Sequence, residues 1–137
     1  MHATLWYSYR GDESGINNAD KLFVQNGRKV FKEVCPMVDR HLRGHLESQS
    51  LTVKDIKRWW LHQANINMNE LIARRLLGRD PEFLEAPVVL DEYANTASAG
   101  SIIAFHLYHQ DLDSGDLGVI CSFGAGYSIG SLLVRKC

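Results

Sequence analysis

An α/β domain on a largely parallel sheet, closed by an antiparallel strand pair, is what the order of elements in this sequence predicts. Three observations carry that expectation. Apolar runs of strand length alternate with segments of helical apolar spacing, as strand–helix–strand units require. The runs RWWL, VVL and LGVIC each give way at once to a polar or glycine-rich loop. The last two runs, LGVICSF and YSIGSLLVR, are separated only by GAG, too short for a crossover and suited to a tight turn.

Taken in order, residues 1–20 form a lead-in, with ATLWYSY as a possible strand and RGDESGINNAD as a turn-rich connector. The domain proper is expected over 21–137. Phe23, Val24, Val30, Phe31, Val34, Val38, Leu42 and Leu46 recur at helical spacing, with a break or kink expected at Gly27 or Pro36. TVKD offers a threonine N-cap with an acid three residues on, opening a short helical turn. RWWLH follows as a buried strand. Met68 to Leu77 reads as an amphipathic helix ended by Gly78. DPEFLEA reads as a second short helical piece, with Pro81 at its start. VVL is a strand, ANTASAGS a loop, and Ile102 to Leu112 a helix apolar nearly all round. SGD then turns the chain into the final strand pair. No internal repeat interrupts this order.

Composition narrows the class. The 137 residues suit one domain, and 45% apolar with 23% charged residues is ordinary for a globular chain. A formal charge of −1 gives no bulk attraction to nucleic acid or a membrane surface. No apolar run approaches the roughly 20 residues of a membrane span. The opening MHATLWYSYRGDE lacks the basic and apolar regions of a signal peptide. Cys35, Cys121 and Cys137 are odd in number and widely spaced, which fits a reduced, cytoplasmic setting. His41 and His45 stand four apart, and His106 and His109 three apart, but neither pair has an acidic or cysteine third ligand nearby, so no metal site is expected.

In sheets of this kind ligands collect beyond the carboxyl ends of the strands. The loops HQAN, ANTASAGS and FGAG all qualify, which makes His62, Asn95 and the Gly124–Gly126 turn candidates for one shared pocket. The alternative is that each loop only satisfies its own backbone, since asparagine and GAG are also ordinary turn chemistry.

LHQAN, YANTASAGS and SFGAGYSIGSLLVR resemble the C-terminal half of the β-ketoacyl-acyl-carrier-protein synthase III family, thiolase-fold condensing enzymes with HQAN, GNTSAAS and FGGGF…G(S)ALVR blocks in this order. NGRKVFKEV is similar to the helix that opens that half. The resemblance covers roughly Lys21 to Cys137. It implies half of a thiolase-like fold, packed in the family against a similar N-terminal half and assembled as a homo-oligomer, with no cofactor. It further implies acyl-CoA and malonyl-acyl-carrier protein as substrates. The wording of the motifs leans toward synthases that extend medium-chain primers.

Site roles follow from the resemblance, position by position. His62 and Asn95 fall on the catalytic histidine and asparagine. Loss of carbon dioxide from a malonyl thioester leaves an enolate, and a histidine N–H with a carboxamide N–H can meet its oxygen as fixed donors. Phe123 matches the phenylalanine beside the malonyl carboxylate. Ala125 matches a glycine whose N–H contributes to an oxyanion hole, and its Cβ would restrict the loop if φ there were positive. Asn65 matches a contact to the pantetheine arm. Asn67 replaces an arginine implicated in carrier-protein docking, which shifts that expectation to Arg74, Arg75 and Arg79, against the plainer reading of a solvated helix face.

The family's nucleophile is a cysteine of the N-terminal half, and no cysteine here fits its place. Cys35 and Cys121 read as small core residues. The chain therefore reads as the catalytic half of a condensing enzyme, inactive alone. The competing reading is a non-catalytic binding or dimerisation module that keeps the fold.

Overall fold

The structure, a computed structural model, describes residues 27–137. The lead-in of residues 1–20, its ATLWYSY strand and the first turn of the pattern at Phe23 and Val24 lie outside the described residues. The elements run α1 (Gly27–Ser48), a 3₁₀ turn (Val53–Asp55), β1 (Ile56–Leu61), α2 (Ile66–Leu77), α3 (Leu90–Tyr93), α4 (Ala99–Leu107), β2 (Leu117–Gly124) and β3 (Ser128–Arg135). The strands form one sheet in the order β1-β2-β3, with β1 parallel to β2 and β2 antiparallel to β3.

The local signals explain the start of most elements. Val34, Val38, Leu42 and Leu46 repeat every four residues and bury one stripe of α1. The helix continues through Pro36, so a break expected at Gly27 or Pro36 does not fall at the proline. The Thr52 N–H and hydroxyl both donate to Asp55 Oδ2 at 2.7 Å, which opens the 3₁₀ turn. Gly78 ends α2 at φ 72°, a left-handed conformation that glycine adopts without a Cβ penalty.

Both faces of β1 and β2 are covered. Trp59 and Leu61 of β1, with Val119, Cys121 and Phe123 of β2, pack against α1 and α2. Trp60 and Ile120 point the other way, toward Val89, Ala104 of α4 and Leu112. Alternation along β1 therefore sends two adjacent tryptophans, each 0% exposed, into opposite layers. Burial of each ring is worth roughly 1.5–3 kcal/mol. Gly118 makes room for one of them, since a Cβ there would overlap the Trp60 ring.

Three elements differ from the sequence expectation, and hydrogen bonding accounts for each. DPEFLEA makes a single turn, with Glu85 N–H on Glu82 O, rather than a helix. The carbonyls that would continue it are taken from β1: Arg58 Nε donates to Leu84 O at 2.5 Å and the Trp59 N–H to Glu85 O at 2.7 Å. VVL is not a strand, because Pro87 has no N–H and the Val89 N–H donates to the Gln63 side chain at 3.1 Å. The helix expected over Ile102–Leu112 begins at Ala99 and ends at Leu107. At its end the Tyr108 carbonyl accepts from Trp60 Nε1 at 3.0 Å and from Arg58 at 2.8 Å, and Arg58 also pairs with Asp111.

Candidate active site

The carboxyl ends of β1 and β2 lie side by side, because the two strands are parallel and in register from Trp59↔Val119 to Leu61↔Cys121. One residue further along each chain come His62 and Ser122. The ring Nδ1 of His62 lies 2.9 Å from Ser122 Oγ. The imidazole also packs on Phe123, with ring centroids 4.3 Å apart and planes tilted by 38°. His62 is only 7% exposed, and this burial holds its pKa below the ordinary histidine value, so the ring is neutral near pH 7.

Asn95 arrives from the other side of the sheet end, in the loop that opens α4. Its Oδ1 accepts the Ala97 N–H at 2.9 Å. That bond fixes which end of the carboxamide is occupied and leaves the NH₂ group without a partner among the described residues. The loop is held in uncommon backbone conformations, with φ 53° at Ala94 and 54° at Ala97. Gln63 ties this segment to β1. Its Nε2 donates to Leu61 O at 2.9 Å and Pro87 O at 3.3 Å, while its Oε1 accepts from Val89. Gly100 of α4 lets the helix approach Gln63 closely, since an added Cβ would come within 2.6 Å of the glutamine's Cβ.

One cavity of about 320 Å³ joins these groups: His62, Asn65, Asn95, Phe123 and Ala125 all line it, along with Gly124. Five of the residues singled out in the sequence thus share one space. Asn65 contributes only part of its side chain, because its Oδ1 caps α2 by accepting the Met68 N–H at 3.0 Å. The positive φ of the β2–β3 turn falls on Gly126, at 125°, and not on Ala125, so the alanine Cβ causes no backbone conflict there. Tyr127 closes the turn against α1 by donating to Glu33 Oε2 at 3.0 Å.

The three arginines lie elsewhere. Arg74 pairs with Asp80 at 2.5 Å and Arg79 with both oxygens of Glu85 at 2.7 and 2.5 Å, each on the surface. Arg75 is exposed on the same helix. A larger cavity of about 460 Å³ lies between α2 and residues 81–91, and none of the singled-out residues lines it. His41 Nε2 and His45 Nδ1 both end on the Ser131 hydroxyl, at 2.9 and 2.7 Å.

No cysteine lines the cavity of His62. Cys35 and Cys121 are buried in α1 and β2. Burial pushes both thiols up, Cys121 to about 12, which suppresses the thiolate a nucleophile needs.

Ser122 and Gln63 escaped sequence reasoning as contributors to the site. The signal for Ser122 was the equal distance of His62 and Ser122 from the ends of their apolar runs, which is informative only once the parallel register is known.

Burial of His62 also sets a sign for stability against pH. A depressed folded pKa means that the unfolded chain binds more protons below about 6.5, so stability falls as pH drops through that value toward the folded one. Asp111, held below its ordinary pKa chiefly by its hydrogen bond from Arg58, loses its contribution further down, in the carboxylate range. Thermal melts from about pH 2 to 7 should therefore show two losses. His62→Gln should flatten the upper one and Asp111→Asn should reduce the lower one, which Asp55 and Glu85 share because hydrogen bonds from Thr52 and Arg79 hold their pKa values down as well. Equal pH dependence in parent and His62→Gln would contradict the neutral ring.

The profile of the family described as "3-oxoacyl-[acyl-carrier-protein (ACP)] synthase III C terminal" matches residues 46–136. A β-ketodecanoyl-[acyl-carrier-protein] synthase of Pseudomonas aeruginosa is 64% identical over 127 residues, covering 93% of this chain and 36% of the relative. A β-ketoacyl-[acyl-carrier-protein] synthase III of Levilactobacillus brevis is 33% identical over 115 residues, covering 82% of this chain and 34% of the relative. The crystal structure of a 3-oxoacyl-[acyl-carrier-protein] synthase III from Aquifex aeolicus superposes with a TM-score of 0.76 over 87% of this chain and 38% of its own, at 24% identity, which speaks for the fold. The chain thus spans about a third of the length of the curated relatives it matches. With a matched segment that takes in the strand end bearing His62, the Asn95 loop and the final hairpin, this chain belongs to the C-terminal family of 3-oxoacyl-[acyl-carrier-protein] synthase III.

Proposed function

We propose that this chain supplies the decarboxylating half of a condensing enzyme, which removes carbon dioxide from a malonyl thioester on acyl-carrier protein and joins the resulting carbanion to an acyl group derived from acyl-CoA. One observation carries the reading: a neutral His62 and an Asn95 with its carbonyl already occupied line the same cavity as Phe123. Two neutral N–H donors suit the oxygen of an enolate, whose charge appears only as carbon dioxide leaves. Donors fixed beforehand need no reorganisation at that moment. The Phe123 ring beside His62 offers the malonyl carboxylate an apolar surface, which favours its loss as an uncharged molecule.

The acyl group itself needs a nucleophile, and the buried thiols of this chain do not serve. In the proposed enzyme the cysteine comes from the remaining two-thirds of a protein of the relatives' length, with residues 21–137 forming the C-terminal unit. Ala125 would turn its backbone N–H toward the thioester at that cysteine, and Asn65 Nδ2 would meet the pantetheine arm. Arg75, which has no carboxylate partner among the described residues of the kind Arg74 and Arg79 have, is the best placed of the three for an acidic carrier protein. The β-ketodecanoyl name of the Pseudomonas relative supports a medium-chain primer. The assembled enzyme would work as a homo-oligomer in the cytoplasm.

The test is to give the full-length protein a medium-chain acyl-CoA and malonyl-acyl-carrier protein and follow 3-oxoacyl product and carbon dioxide together. Product from the full-length protein and none from residues 1–137 alone is expected. Turnover by the 137-residue chain alone, or none by the full-length protein, would refute the proposal.

A further inference from the structure

The donor role of His62 requires its proton to sit on the nitrogen facing the cavity, and neither the ring nor its own strand decides that. The one hydrogen-bond partner of the ring among the described residues is Ser122 Oγ, 2.9 Å from Nδ1. The relation is reciprocal, since the Ser122 hydroxyl has no other hydrogen-bond partner among those residues. Two arrangements fit this contact. In the first, the serine hydroxyl donates to Nδ1, and the ring proton resides on Nε2. In the second, Nδ1–H donates to the serine oxygen. The hydroxyl proton then has no acceptor among the described residues, and Nε2 presents a lone pair to the cavity. The first arrangement leaves only the Nε2–H, on the cavity side, free for a ligand, whereas the second leaves both the hydroxyl proton and the Nε2 lone pair without a partner among the described residues.

We propose that Ser122 is a positioning residue, whose hydroxyl donates to His62 Nδ1 and holds the imidazole in the tautomer that carries its proton on Nε2. This deepens the decarboxylation reading and rests on it. No bond is made or broken by Ser122; it biases a proton between two ring nitrogens. Its position is set by the parallel register, which brings Ser122 beside His62 one step beyond the Leu61↔Cys121 pair. Phe123, next along the strand, packs on the same ring and limits its rotation.

The first measurement needs no substitution. Long-range ¹H–¹⁵N correlation spectra of the full-length protein, labelled at histidine and assigned with His62→Gln, report which ring nitrogen of His62 carries the proton at neutral pH. A protonated Nε2 is expected, and a protonated Nδ1 overturns the proposal. Ser122→Ala should then raise the Nδ1–H fraction and lower kcat for malonyl decarboxylation about tenfold, the scale of one neutral hydrogen bond, with KM little changed. Ser122→Thr, which keeps the hydroxyl, should restore both tautomer and kcat. Unchanged tautomer and kcat in Ser122→Ala overturn the positioning role while leaving the function standing. Normal decarboxylation in His62→Ala would instead remove the reading on which it rests.

Discussion

His62→Ala and Asn95→Ala, each made in the full-length protein, should lower malonyl decarboxylation by about 10²- to 10³-fold, the cost of removing one preorganised donor, some 2.7–4 kcal/mol. Transfer of the acyl group from acyl-CoA to the enzyme should persist in both variants, because in the proposed enzyme that step would use a cysteine outside this chain and not these donors. Carbon dioxide release and labelled acyl-enzyme formation measure the two steps separately. The double variant should fall well short of the product of the single losses, as residues acting on one oxygen do. If both single variants release carbon dioxide at the parental rate, the donor assignment fails.

Gln63→Leu should be the most damaging change outside the donors themselves. The side chain is 0% exposed and makes three hydrogen bonds between the end of β1 and residues 87–89. Leucine has similar bulk but leaves the Val89 N–H buried without an acceptor, and two carbonyls without a donor. A loss of roughly 2–4 kcal/mol in unfolding free energy is expected from such orphaned groups. The functional effect should exceed what stability explains. Residues 87–89 lead through α3 into the loop bearing Asn95, and a displacement on the order of 1 Å there is worth about a hundredfold in rate. Denaturant melts and decarboxylation kinetics on the same preparation check both. A variant matching the parent in stability and rate would show that Gln63 does not set the spacing of the two loops.

Residues 56–61 and 87–90 carry similar local patterns but meet different fates in the fold. RWWL and VVL are equally strand-like in composition, yet only the first joins the sheet. The difference lies in partners. β1 finds β2 in register, whereas the second run begins after Pro87 and spends the Val89 N–H on a side chain from a distant loop. The helix after Asn95 shows the same limit at its end, where Arg58 and Trp60, fifty and forty-eight residues away, take the carbonyl of Tyr108. Termination by a long-range donor leaves no mark in the helix's own sequence.

Within the site, the residue types and their order were legible: His62 stands directly after an apolar run, Phe123 at the end of one and Asn95 in the polar loop that follows VVL, and the motif wording carried the family. Local chemistry also determined the capped turn at Thr52, the glycine stop at Gly78 and the antiparallel hairpin. These depend on neighbours within a few positions, which periodicity and propensity encode. The tertiary structure alone decided that His62 lies against Ser122, that the Asn95 loop is tied to β1 through Gln63, and that Arg74 and Arg79 are already paired. Each of these depends on strand register or on contacts between segments far apart in the chain, and a register shift of one residue would turn Ser122 away from the imidazole without changing a letter of the sequence.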